Sequence, residues 1–206
     1  MHNLVWYASY GANMSRDRFD CYLAGGVPPG GSRANPGCSD TRPPRDVRRV
    51  WLPGGIYFAL ASPMWGGGLA MLDPGLPGAA PARAYLVTAG QFADIAAQEM
   101  YRDPGDPPDL RALAPGERLR LGPGRYETLL RLGDIEGRPA FTFTAHWSQA
   151  DVAPAAPAAA YLAVIGAGLL AAHGWSPARA GAYLAGRPGA AEAWAGARVA
   201  ALLGAR

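Results

Sequence analysis

Hydrophobic and polar positions divide the chain into short apolar or alternating runs over its first two-thirds and helical, alanine-rich texture in its last third. Leu4 to Tyr10 is a compact apolar run and predicts a first strand. Gly11 breaks it, since glycine turns sharply at no steric cost. Asn13 or Ser15 then stands where a cap belongs for a helix through Met14, Phe19 and Leu23. Residues 25–49 are crowded with Gly, Pro and Arg, and Pro28-Pro29-Gly30-Gly31 and Pro43-Pro44 predict an irregular lid or insertion there. Within it Arg42, Arg45, Arg48 and Arg49 read as a solvated edge.

Residues 55–61 and 67–72 are two short strand candidates joined by Pro63-Met64-Trp65-Gly66, and the glycines of this region let backbone approach a neighbour or ligand closely. Asp73-Pro74-Gly75 predicts a turn. Residues 82–87 read as a strand with Tyr85 and Val87 on one face and Leu86 on the other. Thr88 and Gln91 form a capping-box pattern that starts a helix running to about Met100. On it Phe92, Ile95, Ala96 and Glu99 share a face, so the stripe that should enter the core ends in a carboxylate. Burying a carboxylate raises its pKa, a shift that suits a general base near neutral pH. The alternative is that Glu99 turns to solvent at the helix end or pairs with Arg102.

Residues 101–115 are proline-rich and loop-like. Residues 119–121, 126–132 and 140–144 predict further strands, the last with clear alternation, and Gly133 to Gly137 supplies the turn between the final two. Beyond Pro154 alanine dominates. Pro157 suits a first helical position, and residues 161–172 predict an apolar helix ended by Gly174. Ser176-Pro177 caps a second helix ended near Gly186, and a third spans about 190–203. Residues 152–172 carry no charge, but their prolines and small residues suit a buried helix rather than a membrane span.

A length of 206 residues suits one domain, residues 1–175, with a helical extension over 176–206 packed on it. Half the residues are hydrophobic, which permits a sizeable core despite 28 Gly and 20 Pro. The net charge is +3, but all nineteen basic residues are Arg. That reads as compositional bias of the kind a GC-rich genome imposes. No basic run with interleaved aromatics is present, so no nucleic-acid partner and no membrane partner is expected. Cys21 and Cys38 are too few for a structural zinc site and read as thiols in a reducing compartment, although they could pair. The opening residues lack a basic cluster and the apolar start is too short for a signal peptide, so the expected location is cytoplasmic.

Four stretches carry a family resemblance. Tyr10-Gly11-Ala12-Asn13 resembles the Tyr-Gly-Ser-Asn loop of the γ-glutamylcyclotransferase superfamily. Trp65-Gly66-Gly67-Gly68-Leu69-Ala70 is similar to its Trp-x-Gly-Gly-x-Ala stretch. Phe92 to Glu99 resembles the segment that holds its acidic residue, and Tyr161 is a looser match. The matches fall in family order over roughly residues 4–175. Ala12 replaces the family serine and Met100 the glycine after the acidic residue, while residues 20–50 match nothing in the family.

The resemblance implies an α+β fold: a compact, barrel-like, largely antiparallel sheet flanked by helices, with C-terminal helices packed on it. It also implies intramolecular cyclisation of a small γ-glutamyl compound to 5-oxoproline with release of an amine. Glu99 would be the catalytic base. Tyr7, Ala8, Ser9, Tyr10, Gly11, Ala12, Asn13 and Tyr161 would bind substrate, with the amides of Gly11, Ala12 and Asn13 holding its α-carboxylate. No cofactor and no metal is expected; the three histidines, His2, His146 and His173, form no metal motif. Homodimer formation is left open. Two alternatives stand beside this reading: a non-catalytic binding or interaction module on the same fold, and an amide hydrolase using His146 with Cys21 or Ser148. The second lacks a G-x-S-x-G nucleophile elbow.

Overall fold

The computed structural model describes residues 4–29, 31, 33–102, 110 and 113–204. Eight strands and five helices are defined among them. They are β1 (Leu4–Ser9), α1 (Arg16–Ala24), β2 (Asp46–Pro53), β3 (Gly55–Ala59), β4 (Leu69–Asp73), β5 (Ala79–Thr88), α2 (Ala89–Glu99), β6 (Arg118–Arg120), β7 (Thr128–Ile135), β8 (Arg138–Thr144), α3 (Ala159–His173), α4 (Pro177–Ala185) and α5 (Gly196–Gly204). Six strands form one sheet in the order β2-β5-β1-β8-β7-β6, and β3 and β4 form a separate ribbon. All neighbouring pairs are antiparallel except β1 and β8, which run parallel.

The fold is therefore α+β with a largely antiparallel sheet, as the resemblance implies. The barrel-like closure is corrected: β2 and β6 are the two edges of an open sheet. The physical reason lies in β6, which is three residues long and offers little ladder to a further strand.

Alternation along the strands builds two cores, one on each sheet face. Val5, Tyr7, Tyr85, Val87, Leu129, Phe141 and Phe143 face Phe19, Tyr22 and Leu23 of α1 and Phe92, Ile95 and Ala96 of α2. Trp6, Ala8, Ala82, Ala84, Leu86 and Leu130 face the opposite way, toward the ribbon and α3, α4 and α5. Phe19 stacks on Tyr85 at 3.8 Å between ring centres, and Phe92 stacks on Phe143 at 5.0 Å. Fully burying one such ring contributes about 1.5–3 kcal/mol. The capping box at the start of α2 forms in both directions: Gln91 N donates to Thr88 Oγ1, and Thr88 N donates to Gln91 Oε1.

Several expectations change. A strand, β2, forms inside and beyond the stretch read as irregular, because residues 46–53 pair along nearly the whole of β5. Gly133 belongs to β7, where a register shift after Arg131 admits it, so the hairpin turn tightens to Glu136 and Gly137. Pro157 is not the first residue of α3; it bridges Gly67, and the helix begins at Ala159. The last helix starts at Gly196 rather than near 190. Ser15 is the N-cap of α1, but its side chain makes no capping bond. Cys21 and Cys38 are free, with Cys38 buried against the carbonyls of Tyr22 and Gln91. In the proline-rich loop, residues 103–109, 111 and 112 lie outside the described residues, as do Gly30 and Ser32 of the earlier one. No described helix is long and apolar enough to cross a membrane.

Candidate active site

The parallel pair β1 and β8 ends on one side of the sheet, and a cavity of about 240 Å³ opens there. Open sheets place ligands outside the carboxyl ends of parallel strands for a geometric reason: the chain turns away and leaves a crevice. The segment after β1 forms its floor. Residues Ala12–Met14 make one 3-10 turn, closed by Met14 N to Gly11 O and Ser15 N to Ala12 O, each at 3.0 Å. The amides of Ala12 and Asn13 precede the first closed bond of that turn and have no acceptor within it. Tyr85 pins the loop from below by donating its hydroxyl hydrogen to Asn13 O at 2.7 Å. Gly11 makes the turn at a negative φ of −114°, so left-handed backbone is not its role. A Cβ there would point at the Tyr161 hydroxyl, 3.6 Å away, so glycine keeps this wall of the cavity bare.

Glu99 closes the opposite wall. Its residue is partly buried, but its carboxyl group turns inward and accepts a hydrogen bond from Asn13 Nδ2 at 2.8 Å. The same Nδ2 donates to the Tyr7 hydroxyl at 3.2 Å. Arg102, the alternative partner, pairs instead with Glu127 at 2.7 Å. Burial pushes the Glu99 carboxyl above its ordinary pKa, opposed by the positive charge of Arg18, hydrogen bonds from Tyr22 and Asn13, and the charge of Arg125. Burial, and then the negative charge of Glu99, push the Tyr7 hydroxyl up as well, so it remains protonated as a donor or acceptor.

The glycine-rich stretch builds the third wall. A Cβ on Gly68 would lie 2.0 Å from Ala155 O, and one on Gly67 would lie 2.4 Å from Ala156 O. Only bare backbone lets this segment press against the lead into α3, where Gly68 N donates to Ala156 O at 2.8 Å. That contact sets Tyr161 over the cavity. Its hydroxyl accepts from Ala70 N at 3.3 Å, Trp65 stacks on its ring at 5.7 Å, and burial pushes its pKa up to about 12. Tyr126 donates to Ala70 O at 2.8 Å on the same side.

Of the expected site residues, Tyr7, Ser9, Tyr10, Gly11, Ala12, Asn13, Glu99 and Tyr161 all line this one cavity. Ala8 does not, and is a correction. It is fully buried in the core on the far face of β1, because successive strand residues point to opposite faces. The hydrolase candidates are not brought together here. His146 is exposed, Ser148 Oγ donates to Asp151 at 2.6 Å, Cys21 Sγ contacts its own helix at Asp17 O, and none lines the cavity.

Sequence reasoning missed Arg18, Tyr22, Arg33, Arg125 and Tyr126 in the lining. Spacing gave no signal for them: Arg18 and Tyr22 stand four apart on α1, but within a run of charged residues that reads as a solvated face. Tyr101, at the mouth, has a φ of +54° and holds its ring between Arg33 and Arg125, 5.2 and 5.3 Å from their guanidinium carbons. Such backbone in a non-glycine residue is concentrated at functional sites.

The fold has counterparts among solved structures. A human protein described as uncharacterized protein loc79017 superposes with a TM-score of 0.50 at 14% identity, over 82% of this chain and 80% of that one. The two share a fold, and the likeness extends no further than that. A structure described as gamma-glutamyl cyclotransferase superposes at 13% identity over the same shares, with a TM-score of 0.48. No protein-family model matches the sequence. Histone deacetylase 5 of Arabidopsis thaliana is 36% identical over 99 residues, which are 46% of this chain and 15% of that protein.

Proposed function

We propose that this cavity cyclises a γ-glutamyl compound to 5-oxoproline and releases an amine. One observation carries the reading: Asn13, in the loop that resembles the family motif, is hydrogen-bonded at 2.8 Å to Glu99, the one carboxylate that lines the cavity among the described residues. Substrate-holding amides and a base thus share a space suited to one small molecule. The amides of Ala12 and Asn13 hold the substrate's α-carboxylate. Held in this way, the glutamyl chain folds so that its α-nitrogen approaches its own γ-carbonyl, and the attack is intramolecular. A carbon–nitrogen bond forms to close the five-membered ring, and the bond to the departing amine breaks. Two protons pass from the attacking nitrogen to the departing one, so the amine leaves as an ammonium ion. Glu99 relays them, as base on the first nitrogen and acid on the second. Its raised pKa suits both halves of that task.

The test is release of 5-oxoproline from a panel of γ-glutamyl amino acids, peptides and amines. Turnover of any member supports the reading. Saturable binding without turnover across the panel replaces it with a binding module.

A further inference from the structure

Arg18 is 6% exposed and lines the cavity from α1. Its guanidinium carbon sits 5.0 Å from the Tyr22 ring centre and 5.7 Å from that of Trp65. One of its nitrogens, Nη2, donates to the Tyr22 hydroxyl at 3.3 Å. The other two, Nε and Nη1, are buried and have no partner. Among the described residues Arg18 makes no ion pair. Glu99 is near enough to feel its charge, yet spends a carboxylate oxygen on Asn13 instead.

A guanidinium cannot shed its proton to escape burial, since it stays charged in proteins. Aromatic faces compensate part of its lost hydration but satisfy none of its in-plane N–H groups. Buried polar groups find hydrogen-bond partners in nearly all cases, and two orphaned donors on one buried cation, in the wall of a cavity, are matched by an anionic acceptor.

We propose that Arg18 is the anion anchor of this cavity and that its free Nε and Nη1 groups receive a carboxylate of the bound molecule. The ligand class rests on the cyclotransferase reading; the anchor rests on the geometry of Arg18 alone. A γ-glutamyl compound offers two sources of that carboxylate: the glutamyl α-carboxylate, and the carboxylate of the leaving group where this is an amino acid or peptide. If the second is used, the enzyme selects γ-glutamyl amino acids and peptides over neutral or basic γ-glutamyl amines.

Calorimetric binding of three probes decides this: γ-glutamyl-alanine, its alaninamide counterpart and its glutamyl α-amide counterpart. Glu99→Gln protein is used so that the probes survive, with and without Arg18→Met or Arg18→Lys. Arg18→Met is expected to weaken γ-glutamyl-alanine by about 10- to 100-fold, the scale of hydrogen bonds to a charged group. Arg18→Lys, which keeps the charge in an aromatic setting, should recover part of the loss and guards against a folding defect in the methionine variant. The probe lacking the carboxylate that Arg18 holds should bind weakly from the outset and be indifferent to Arg18→Met; the other amide should stay sensitive. An affinity for γ-glutamyl-alanine that Arg18→Met leaves unchanged overturns the anchor while leaving the cyclotransferase reading intact. Binding that depends on Arg18, together with no 5-oxoproline from any panel member in wild-type protein, overturns the cyclotransferase reading and keeps the anchor. Absence of binding by all three probes overturns the anchor, and the cyclotransferase reading is then decided by 5-oxoproline release across the panel.

Discussion

Replacing Glu99 with glutamine removes the proposed base while disturbing little else. Glutamine has the same length and retains an acceptor oxygen, so the 2.8 Å bond from Asn13 Nδ2 persists and the loop keeps its position. The amides proposed to hold the substrate carboxylate are therefore untouched, and KM should change by no more than a few-fold. What disappears is proton relay, which contributes about 10²- to 10⁴-fold in rate, or roughly 2.7–5.5 kcal/mol at 1.36 kcal/mol per tenfold. The same substitution has a second, independent readout. Glu99's pKa is raised in the folded protein, chiefly by burial. Below its ordinary value near 4.5 the group is protonated in both the folded and unfolded chain and carries no charge penalty. As pH climbs from there through the folded pKa, the unfolded chain ionises more readily and stability is lost. Glu99→Gln should therefore melt close to wild type in acid and above wild type at neutral pH. The assay pairs chromatographic 5-oxoproline release with melting curves across that range. Equal turnover in wild type and Glu99→Gln, on a compound the wild type cyclises, refutes the role of Glu99. A melting difference that shrinks as pH rises refutes the desolvation argument.

Arg18 lowers the Glu99 pKa, so Arg18→Met should move the acidic limb of the pH–rate profile to higher pH; a limb that stays in place or falls contradicts the charge coupling. Gly168→Ala would set a Cβ 2.5 Å from Met14 Cβ and 2.9 Å from its carbonyl carbon, forcing α3 off the loop turn. Overpacking of this kind costs about 1–3 kcal/mol, and both melting temperature and turnover should fall. Thr88→Ala removes the side-chain half of the capping box, the bond from Gln91 N to Thr88 Oγ1, and should cost about 1 kcal/mol, read as a drop of roughly 2–4 °C in Tm with turnover kept. Ala12→Ser leaves the backbone N–H in place, so kcat/KM should stay within a few-fold of wild type in the 5-oxoproline assay.

Residues whose roles are set by near neighbours were readable in the sequence. Thr88 and Gln91 define a helix start between themselves, and Phe92, Ile95 and Glu99 define its inward face by spacing alone. Tyr85 and Val87 against Leu86 needed only the two-residue period, and the structure separates them onto opposite sheet faces. Ala8 was drawn into the site by its place beside Tyr7, although the same period turns it into the opposite core. The illegible parts depend on distant partners. In β2, Arg48 and Arg49 interrupt any apolar alternation, and the strand exists because β5 pairs with it on the sheet edge.

Arg18 shows why a site is harder to read than a fold. On the sequence it is one of four charged residues among the first five of α1, indistinguishable from a solvated face. Its burial is imposed by Trp65, which the glycine contacts at 67 and 68 press toward Tyr161, and by Tyr22 one turn along its own helix. The orphaned nitrogens then arise from what those neighbours lack: aromatic faces can cover a guanidinium but cannot accept from its edges. A buried, unpaired cation costs stability, and in a cavity that also holds a buried carboxylate the cost acquires a use. Among the described residues neither charge forms an ion pair, Glu99 lying against Asn13 and Arg18 against the rings; under the proposed anchor and base, each would then keep its edge for a ligand that carries the complementary groups.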